Sequence, residues 1–380
     1  MNLIECAVLH EKSRSVREHE VKLHLYSKMP PRTRSGRSEK LANERLMLAG
    51  PVNISGFPSL PVELLLEVTS HLLRVPIPSY KQSVYHARYL AHHNTLRSLS
   101  QSCRSLRSIF LPHVWRRIEV CASKWIDNER DLGRNILKII SKDIATELVR
   151  QLEIVTIRDP TLAQYVQVVN VILQSYCYDT VLAELARCLA LFPNLHTFQA
   201  LGLGMHRAEI TYKVFRGLKF PQILTLVVPS TGHYILPAFP NVKAVTCIGA
   251  CPEVFWGTLF AHCPNVVSLG TFEGTDFVAE RLPNLEKITF DIRNPTLTPE
   301  AISNLSALKR LHTVCFDVNE GYHLTPGNTG NWFTIIDFMH KRKAVMVAFQ
   351  NIPQRDEFQK RLVVKYERQS EVYMFDATPS

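Results

Sequence analysis

The feature that most constrains the fold of this chain is a short frame that recurs six times between residues 192 and 318. Each copy centres on an apolar residue, which we call the anchor. Subtracting the numbers of neighbouring anchors gives spacings of 28, 19, 24, 19 and 26 residues. Such spacings are typical of repeat proteins, whose units each add a strand and cannot bury their apolar face alone. The anchors are Leu195, Ile223, Val242, Val266, Leu285 and Leu311.

Side-chain type alternates after each anchor. The third residue past the anchor is always apolar, whereas the second is mostly small or polar. A β-strand with one face in a core and one open face has this alternation. We therefore predict a degenerate leucine-rich-repeat-like α/β solenoid over residues 121–318, in a chain of α+β or α/β class. The residues predicted to face outward, and so to bind a target, are Thr197, Gln199, Thr225, Val227, Thr246, Lys287 and Thr313.

Patterns on either side of the six frames predict further elements. Alternation with β-branching indicates strands, and apolar residues at helical spacing indicate helices. Residues 319–380 are predicted to form a loop and then a cap that closes the array. The predicted strands are 116–121, 152–157, 344–349 and 372–375, and the predicted helices are 128–150, 162–173, 181–191 and 332–341.

An apolar stretch from Leu60 to Trp115 is the second constraint. Pro61 suits the first turn of a helix, and the leucines and valines that follow it form two apolar stripes. A second helical run follows, and Pro112 is predicted to stop it. A helix with two apolar faces must bury both, but a unit of about 60 residues is too small to do so alone. Part of this surface is therefore predicted to be kept for a partner.

The same stretch resembles a known motif. Leu60-Pro61-x-Glu63-Leu64-Leu65-x-Glu67-Val68, followed by Leu96-x-x-Leu99-x-x-x-Cys103-Arg104-x-Leu106-Arg107 and Trp115, is similar to the F-box, and more narrowly to fungal F-box proteins with a leucine-rich tail. The motif lies within 56–120, and residues 74–94 separate its halves more widely than the family pattern does. The resemblance implies docking on a Skp-type adaptor of a cullin-based ubiquitin ligase. The implied adaptor-binding residues are Leu60, Pro61, Leu64, Leu65, Val68, Leu72, Leu96, Leu99 and Leu106.

Composition and the N-terminal residues add broader expectations. Residues 1–55 carry ten Lys/Arg and six Asp/Glu without an apolar period, which predicts a disordered basic arm. Nine cysteines without a signal-peptide pattern predict reduced thiols in the cytoplasm or nucleus. No apolar run reaches the length of a membrane span. The net charge of +10 permits nucleic-acid binding, although no nucleic-acid module is recognisable.

Motifs that carry chemistry are missing from the sequence. No nucleophile elbow, P-loop or H-E-x-x-H occurs, so we predict neither an enzyme nor a cofactor. Cys247, Cys251, His262 and Cys263 fit no common zinc spacing, and neither does the pair His92-His93; Cys247 is predicted to be a buried free thiol. The sequence thus predicts a recognition subunit of a Skp–cullin–F-box ligase that holds a protein target. The alternatives are an interaction scaffold without ubiquitin transfer, a basic-arm nucleic-acid binder, and an ordinary helical hairpin in place of the F-box.

Overall fold

The computed structural model divides the chain into two compact units, residues 1–59 and 60–380. In the first unit only residues 56–59 are described, and Phe57–Ser59 form a short 3₁₀ turn. The predicted disordered arm therefore lies outside the described residues. The structure describes residues 56–70, 86–120, 134–173, 176–201, 203, 207–249, 251–270, 278–291, 297–317, 335–353, 359–365 and 370–375.

Three helices begin the second unit. They are α1 (Val62–Ser70), α2 (His86–Ser102) and α3 (Arg104–Trp115). Their shared small core consists of Leu65, Leu96, Leu106, Phe110 and Val114.

The helical boundaries correct two predictions. The second helical run breaks at Cys103, whose backbone is extended, and Pro112 lies inside α3 instead of ending it. Residues 86–94, which belong to the stretch that separates the two motif halves, are the first half of α2. Leu72 and the rest of the insertion lie outside the described residues.

A ten-stranded sheet follows, with its strands in chain order. Neighbouring strands are parallel from β1 to β9, and β10 runs antiparallel to β9. The strands are β1 Arg117–Val120, β2 Val168–Ile172, β3 Thr197–Leu201, β4 Thr225–Pro229, β5 Ala244–Ile248, β6 Ser268–Gly270, β7 Lys287–Asp291, β8 Thr313–Asp317, β9 Lys360–Lys365 and β10 Ser370–Phe375.

The six predicted repeat strands are confirmed. Strands β3 to β8 each begin two residues past an anchor, and the apolar residues three past the anchors pair in one row from Phe198 to Val314. The chain is therefore a mixed α/β protein with a parallel, leucine-rich-repeat-like sheet.

Helices and turns connect the strands and cover one sheet face. One continuous core contains all six anchors and the apolar row three residues past them. The residue three before each anchor is also buried. In five copies its carbonyl accepts a hydrogen bond from the anchor N–H, which closes a four-residue turn, and four of these five turns contain proline. The helices are α4 Arg134–Glu153, α5 Tyr178–Leu189, α6 Ala208–Phe215, α7 Glu253–His262, α8 Val278–Arg281, α9 Pro299–Ser303 and α10 Ile335–Asn351.

Three predicted elements are wrong. Residues 152–157, predicted as a strand, are the end of α4 and a π-helical turn, Ile154–Arg158. Residues 162–173, predicted as a helix, contain part of the 3₁₀ turn Pro160–Tyr165 and all of β2. Residues 344–349, predicted as a strand, belong to α10. In each case a short apolar run fits both the helical and the strand period, and contacts with neighbouring elements of the fold decide which one forms.

Lys360 explains how α10 ends. Its Nζ donates hydrogen bonds to the carbonyl oxygens of Phe349 and Ile352, both at 2.5 Å. A buried ammonium at a helix C-terminus satisfies carbonyls that have no partner within the helix and meets the negative end of its dipole. Burial lowers the pKa of the Lys360 ammonium. Among the described helices, none is both long and apolar enough to cross a membrane.

Candidate interaction surfaces

Helix α1 exposes most of its apolar side chains. Of its five leucines and valines only Leu65 is buried, at 0% exposure. A nine-residue helix that meets its neighbours mainly through one leucine keeps its other apolar side chains available for another molecule. The exposed residues, including the one just before the helix, are Leu60 (38%), Val62 (44%), Leu64 (51%), Leu66 (41%) and Val68 (42%).

The structure sorts the predicted adaptor-binding residues into three groups. Leu60, Pro61, Leu64 and Val68 are exposed, and Leu99 is half-buried. In contrast, the core of the three helices takes up Leu65, Leu96 and Leu106, so these three cannot contact a partner. Val62 and Leu66 are exposed, although the sequence did not single them out as adaptor-binding residues. Their spacing gave no signal, because helical spacing shows which residues share a stripe but not which stripe faces outward.

The helical unit is also strongly basic. From the start of α1 to the end of α3, residues 62–115 contain six Lys/Arg and two Asp/Glu, and both acidic residues, Glu63 and Glu67, lie on α1. Arg97, Arg104 and Arg107 are exposed on α2 and α3. The pKa values of three histidines in this unit, His92, His93 and His113, are lowered; burial is the largest cause for each, and neighbouring basic groups add to it. A surface of this kind favours a partner with acidic groups around an apolar site.

The helices join the repeat region without a linker. Only Arg116 separates α3 from β1, and Trp115 packs against both the helical core and the main core. Arg116 Nε donates to Gln167 Oε1 at 2.8 Å, just before β2. The exposed face of α1 therefore belongs to a body that is packed against the first strands.

The predicted target-binding face of the strands is largely closed. Thr197, Gln199, Val227 and Thr313 are buried, which corrects their prediction as open positions. Thr225, Thr246 and Lys287 are half-buried.

The causes of this burial are contacts between strands. Val227 packs with Leu201 and Ile248 in a small apolar cluster on this face. The hydroxyl of Thr313 accepts a hydrogen bond from Arg361 Nε at 2.9 Å. Side chains on neighbouring strands stand so close that small ones are shielded by larger ones.

A buried polar group occupies the start of the same face. Glu119 of β1 is in register with Asn170 of β2, which is in register with Gln199 of β3. Asn170 Nδ2 donates to Glu119 Oε1 at 2.5 Å, and Arg117 forms an ion pair with the same carboxylate. Buried polar groups need such partners. This part of the face therefore supports the joint between α3 and the sheet.

A shallow groove lies at the amino-terminal edge of the strands. We call it the amino-edge groove. Four of its residues directly precede the anchors of four successive repeats: Asn241, Asn265, Asn284 and Arg310. Three more directly follow anchors: Leu224, Lys243 and Val267. Pro264 completes the lining.

Amides at the position before the anchor tie earlier repeats together. Asn194 Nδ2 donates to Gln164 O at 2.6 Å, Gln222 Nε2 to Leu189 O at 3.0 Å, and Asn241 Nδ2 to Pro221 O at 3.1 Å. Each bond reaches back to the preceding unit. The sequence signal was the recurrent Pro-Asn or Pro-Gln before five of the six anchors; the repeat frame contained it but did not explain it.

Cys247 and Cys251 form a disulfide with a Cα–Cα distance of 6.7 Å, which corrects the prediction of a free Cys247. The chain turns between them at Gly249, whose φ of +87° suits glycine. Burial raises the pKa of the Cys188 and Cys263 thiols to about 12. In the part of the chain that the structure describes, no group of three His, Cys, Asp or Glu side chains is placed to hold a metal.

Comparison with known proteins adds little to this geometry. No protein-family model matches the chain, and no curated protein matches it in sequence. One similar solved structure is the leucine-rich repeat-containing protein LegL7 from Legionella pneumophila, at 19% identity over 58% of this chain and 70% of that chain, with a TM-score of 0.37. The repeat architecture described above rests on this chain's own strand order and register.

Proposed function

We propose that this chain is a non-catalytic recognition subunit of a Skp–cullin–F-box type ubiquitin ligase. Helix α1 would dock on a Skp-type adaptor, and the repeat array would bind the protein that is to be ubiquitinated. The observation that carries the proposal is the set of five exposed apolar side chains from Leu60 to Val68. They lie in the stretch whose sequence resembles the F-box.

The energetics of α1 support a docking role. Complete burial of a leucine or valine contributes about 1.5–3 kcal/mol, and side chains that are about half exposed retain roughly half of that. Five such side chains offer a partner about 5 kcal/mol before the cost of association. The exposed arginines of α2 and α3 would pair with acidic groups of the adaptor around the docking site.

The joint at Trp115 supports the second half of the proposal. A ligase without its own chemistry in this subunit acts by proximity, since it holds a target close to a charged enzyme. Proximity is most effective when the two binding surfaces belong to one body. Trp115 packs against both cores, and one residue separates α3 from the sheet.

Co-purification with a Skp-type adaptor and a cullin tests the proposal. The full chain carrying Leu64→Asp and Leu66→Asp should lose the adaptor, because both side chains are exposed and the substitutions place charges on the docking face. The matched control carries Leu191→Asp and Leu218→Asp, two leucines of similar exposure (46% and 37%) in the repeat region. It should retain the adaptor.

Three results would decide between the candidates. Equal adaptor binding by both double variants would refute docking through α1. Adaptor binding without ubiquitination of any co-purified target would favour the scaffold alternative. Binding to polynucleotide that weakens steeply with salt, with no adaptor bound, would favour the nucleic-acid alternative.

A further inference from the structure

The amino-edge groove has the form of a site for an extended chain. Its residues Asn241, Asn265, Asn284 and Arg310 come from one frame position in successive repeats. Neighbouring strands lie about 4.8 Å apart, so this row spans roughly 14 Å. An extended peptide rises about 3.3 Å per residue, so about four residues match the row.

The amides of the row are placed to bind peptide groups. A side-chain amide carries both donors and an acceptor, as a peptide group does. Asn241 already donates to Pro221 O, whereas among the described residues no hydrogen bond involves the exposed amides of Asn265 and Asn284. The later repeats therefore present amides that the earlier repeats use to tie units together.

The charges of the groove select the peptide. Arg310 Nη2 lies 2.8 Å from Glu286 Oε1, and both side chains are partly exposed, so the arginine's charge is largely balanced. In the part of the chain that the structure describes, no ion pair involves Lys243, which is exposed. Lys243 thus leaves a positive charge in the lining of the groove for a carboxylate.

The same groove is poorly suited to nucleic acid. Binding of single strands relies on several cations that follow the phosphates and on aromatic side chains that stack on bases. The groove is lined by two cations, one of them paired, and by Leu224, Pro264 and Val267, with no aromatic side chain.

From these features we infer that the amino-edge groove binds an extended, acidic segment of the target protein, with Lys243 contacting a carboxylate and Asn265 and Asn284 contacting the peptide backbone. The inference deepens the proposed function, because it names the surface and the chemistry of the target. It also moves the target site from the strand face that the sequence predicts, which is largely closed, to the amino-terminal edge of the strands.

Fluorescence anisotropy with the full chain tests this inference. The probes are a fluorescein-labelled peptide of alternating glutamate and serine and a matched peptide with glutamine in place of glutamate. The wild-type chain should prefer the glutamate peptide by about fivefold, as one partly exposed charge pair allows, and salt should reduce the preference.

Two variants separate charge recognition from backbone recognition. Lys243→Glu should abolish or reverse the preference, whereas the matched control Lys142→Glu, an exposed lysine on α4, should retain it. Asn265→Leu should weaken both peptides alike. Thermal unfolding of each variant monitors the fold.

The outcomes that would overturn the inference are specific. They are a glutamate preference that survives Lys243→Glu, equal loss in the Lys142→Glu control, or no binding of either peptide. Tighter, Lys243-dependent binding of a single-stranded oligonucleotide would make the groove a nucleic-acid site instead. Adaptor co-purification is measured separately, and Lys243→Glu should leave it unchanged, so failure of the groove and failure of α1 docking are distinguishable.

Discussion

Neighbouring leucines of α1 should respond in opposite ways to the same truncation. Leu65→Ala should destabilise the helical unit by about 2–3 kcal/mol and Leu64→Ala by less than about 1 kcal/mol, while only Leu64→Ala should weaken adaptor binding directly. Leu65 is fully buried with Leu96, Leu106, Phe110 and Val114, whereas Leu64 is about half exposed.

The magnitudes follow from burial. Truncation of a buried leucine to alanine costs about 2–5 kcal/mol, and a five-residue core that can partly collapse places Leu65→Ala at the lower end, about 2–3 kcal/mol. Leu64→Ala removes three carbons, which is about 2.4 kcal/mol at full burial. Half exposure reduces this to about 1 kcal/mol, and the higher helix propensity of alanine offsets a few tenths of it.

Hydrogen exchange of the α2 and α3 amides, together with urea unfolding followed by circular dichroism, measures the two effects. Leu96→Ala provides a second buried control and should behave like Leu65→Ala. Equal loss of stability in Leu64→Ala and Leu65→Ala would refute the assigned rotation of α1. So would a Leu65→Ala variant with unchanged exchange.

Three further predictions test other parts of the structure. Acidification below about pH 6.5 should destabilise the chain, because the folded state lowers the pKa values of His92, His93 and His113 below their ordinary 6.5. Below that pH the unfolded state binds more protons than the folded state, so the full free energy of unfolding is present only above it. Urea midpoints at a series of pH values measure this, and a constant midpoint from pH 7.5 to 5.5 would contradict it. Gly270→Ala should cost about 1–3 kcal/mol, because its Cβ would clash with the Thr246 side chain. Gly257→Ala, in the open interior of α7, should gain about 0.5–1 kcal/mol, and a shift of the thermal unfolding midpoint in the same direction for both variants would be inconsistent with these positions. Lys360→Met should cost about 2 kcal/mol and expose the end of α10 to hydrogen exchange, since two carbonyls lose a charged donor; unchanged exchange there would show that the lysine does not cap the helix.

The repeat strands could be predicted because their signal is local. Each anchor and the residue three past it are buried in every copy, so apolar residues recur at the same positions of each repeat and can be recognised in the sequence. Strand β2 lacks the frame, and the sequence did not predict it, because its run of valines fits both the helical and the strand period. What decides for a strand is pairing with β1, where Asn170 hydrogen-bonds to Glu119, 51 residues earlier. The same holds for residues 344–349, whose helical state depends on the continuation of α10.

The binding faces were less predictable, since exposure depends on contacts between distant residues. Thr313 looked open in its own repeat, but Arg361, 48 residues later, covers its hydroxyl. Leu64 and Leu65 are equivalent in the sequence pattern, and only the position of α2 and α3 decides which of them is buried. Residue type therefore predicted that α1 has more apolar surface than it can hide, but not which side chains remain outside.

The two proposed surfaces place different demands on one scaffold. Helix α1 contributes to the folded core through Leu65 alone, so its other apolar side chains can be kept for docking at small cost to the rest of the chain. The amino-edge groove instead uses the residue before each anchor, which also lies in the turn that leads into the strand. This residue can bind a target only in those repeats where its side-chain amide does not connect neighbouring units. Asn194, Gln222 and Asn241 donate to the preceding unit, whereas Asn265 and Asn284 face solvent. A target bound at the later repeats would thus lie several strands away from the joint at Trp115, and the parallel register of β3 to β8 would hold that separation fixed.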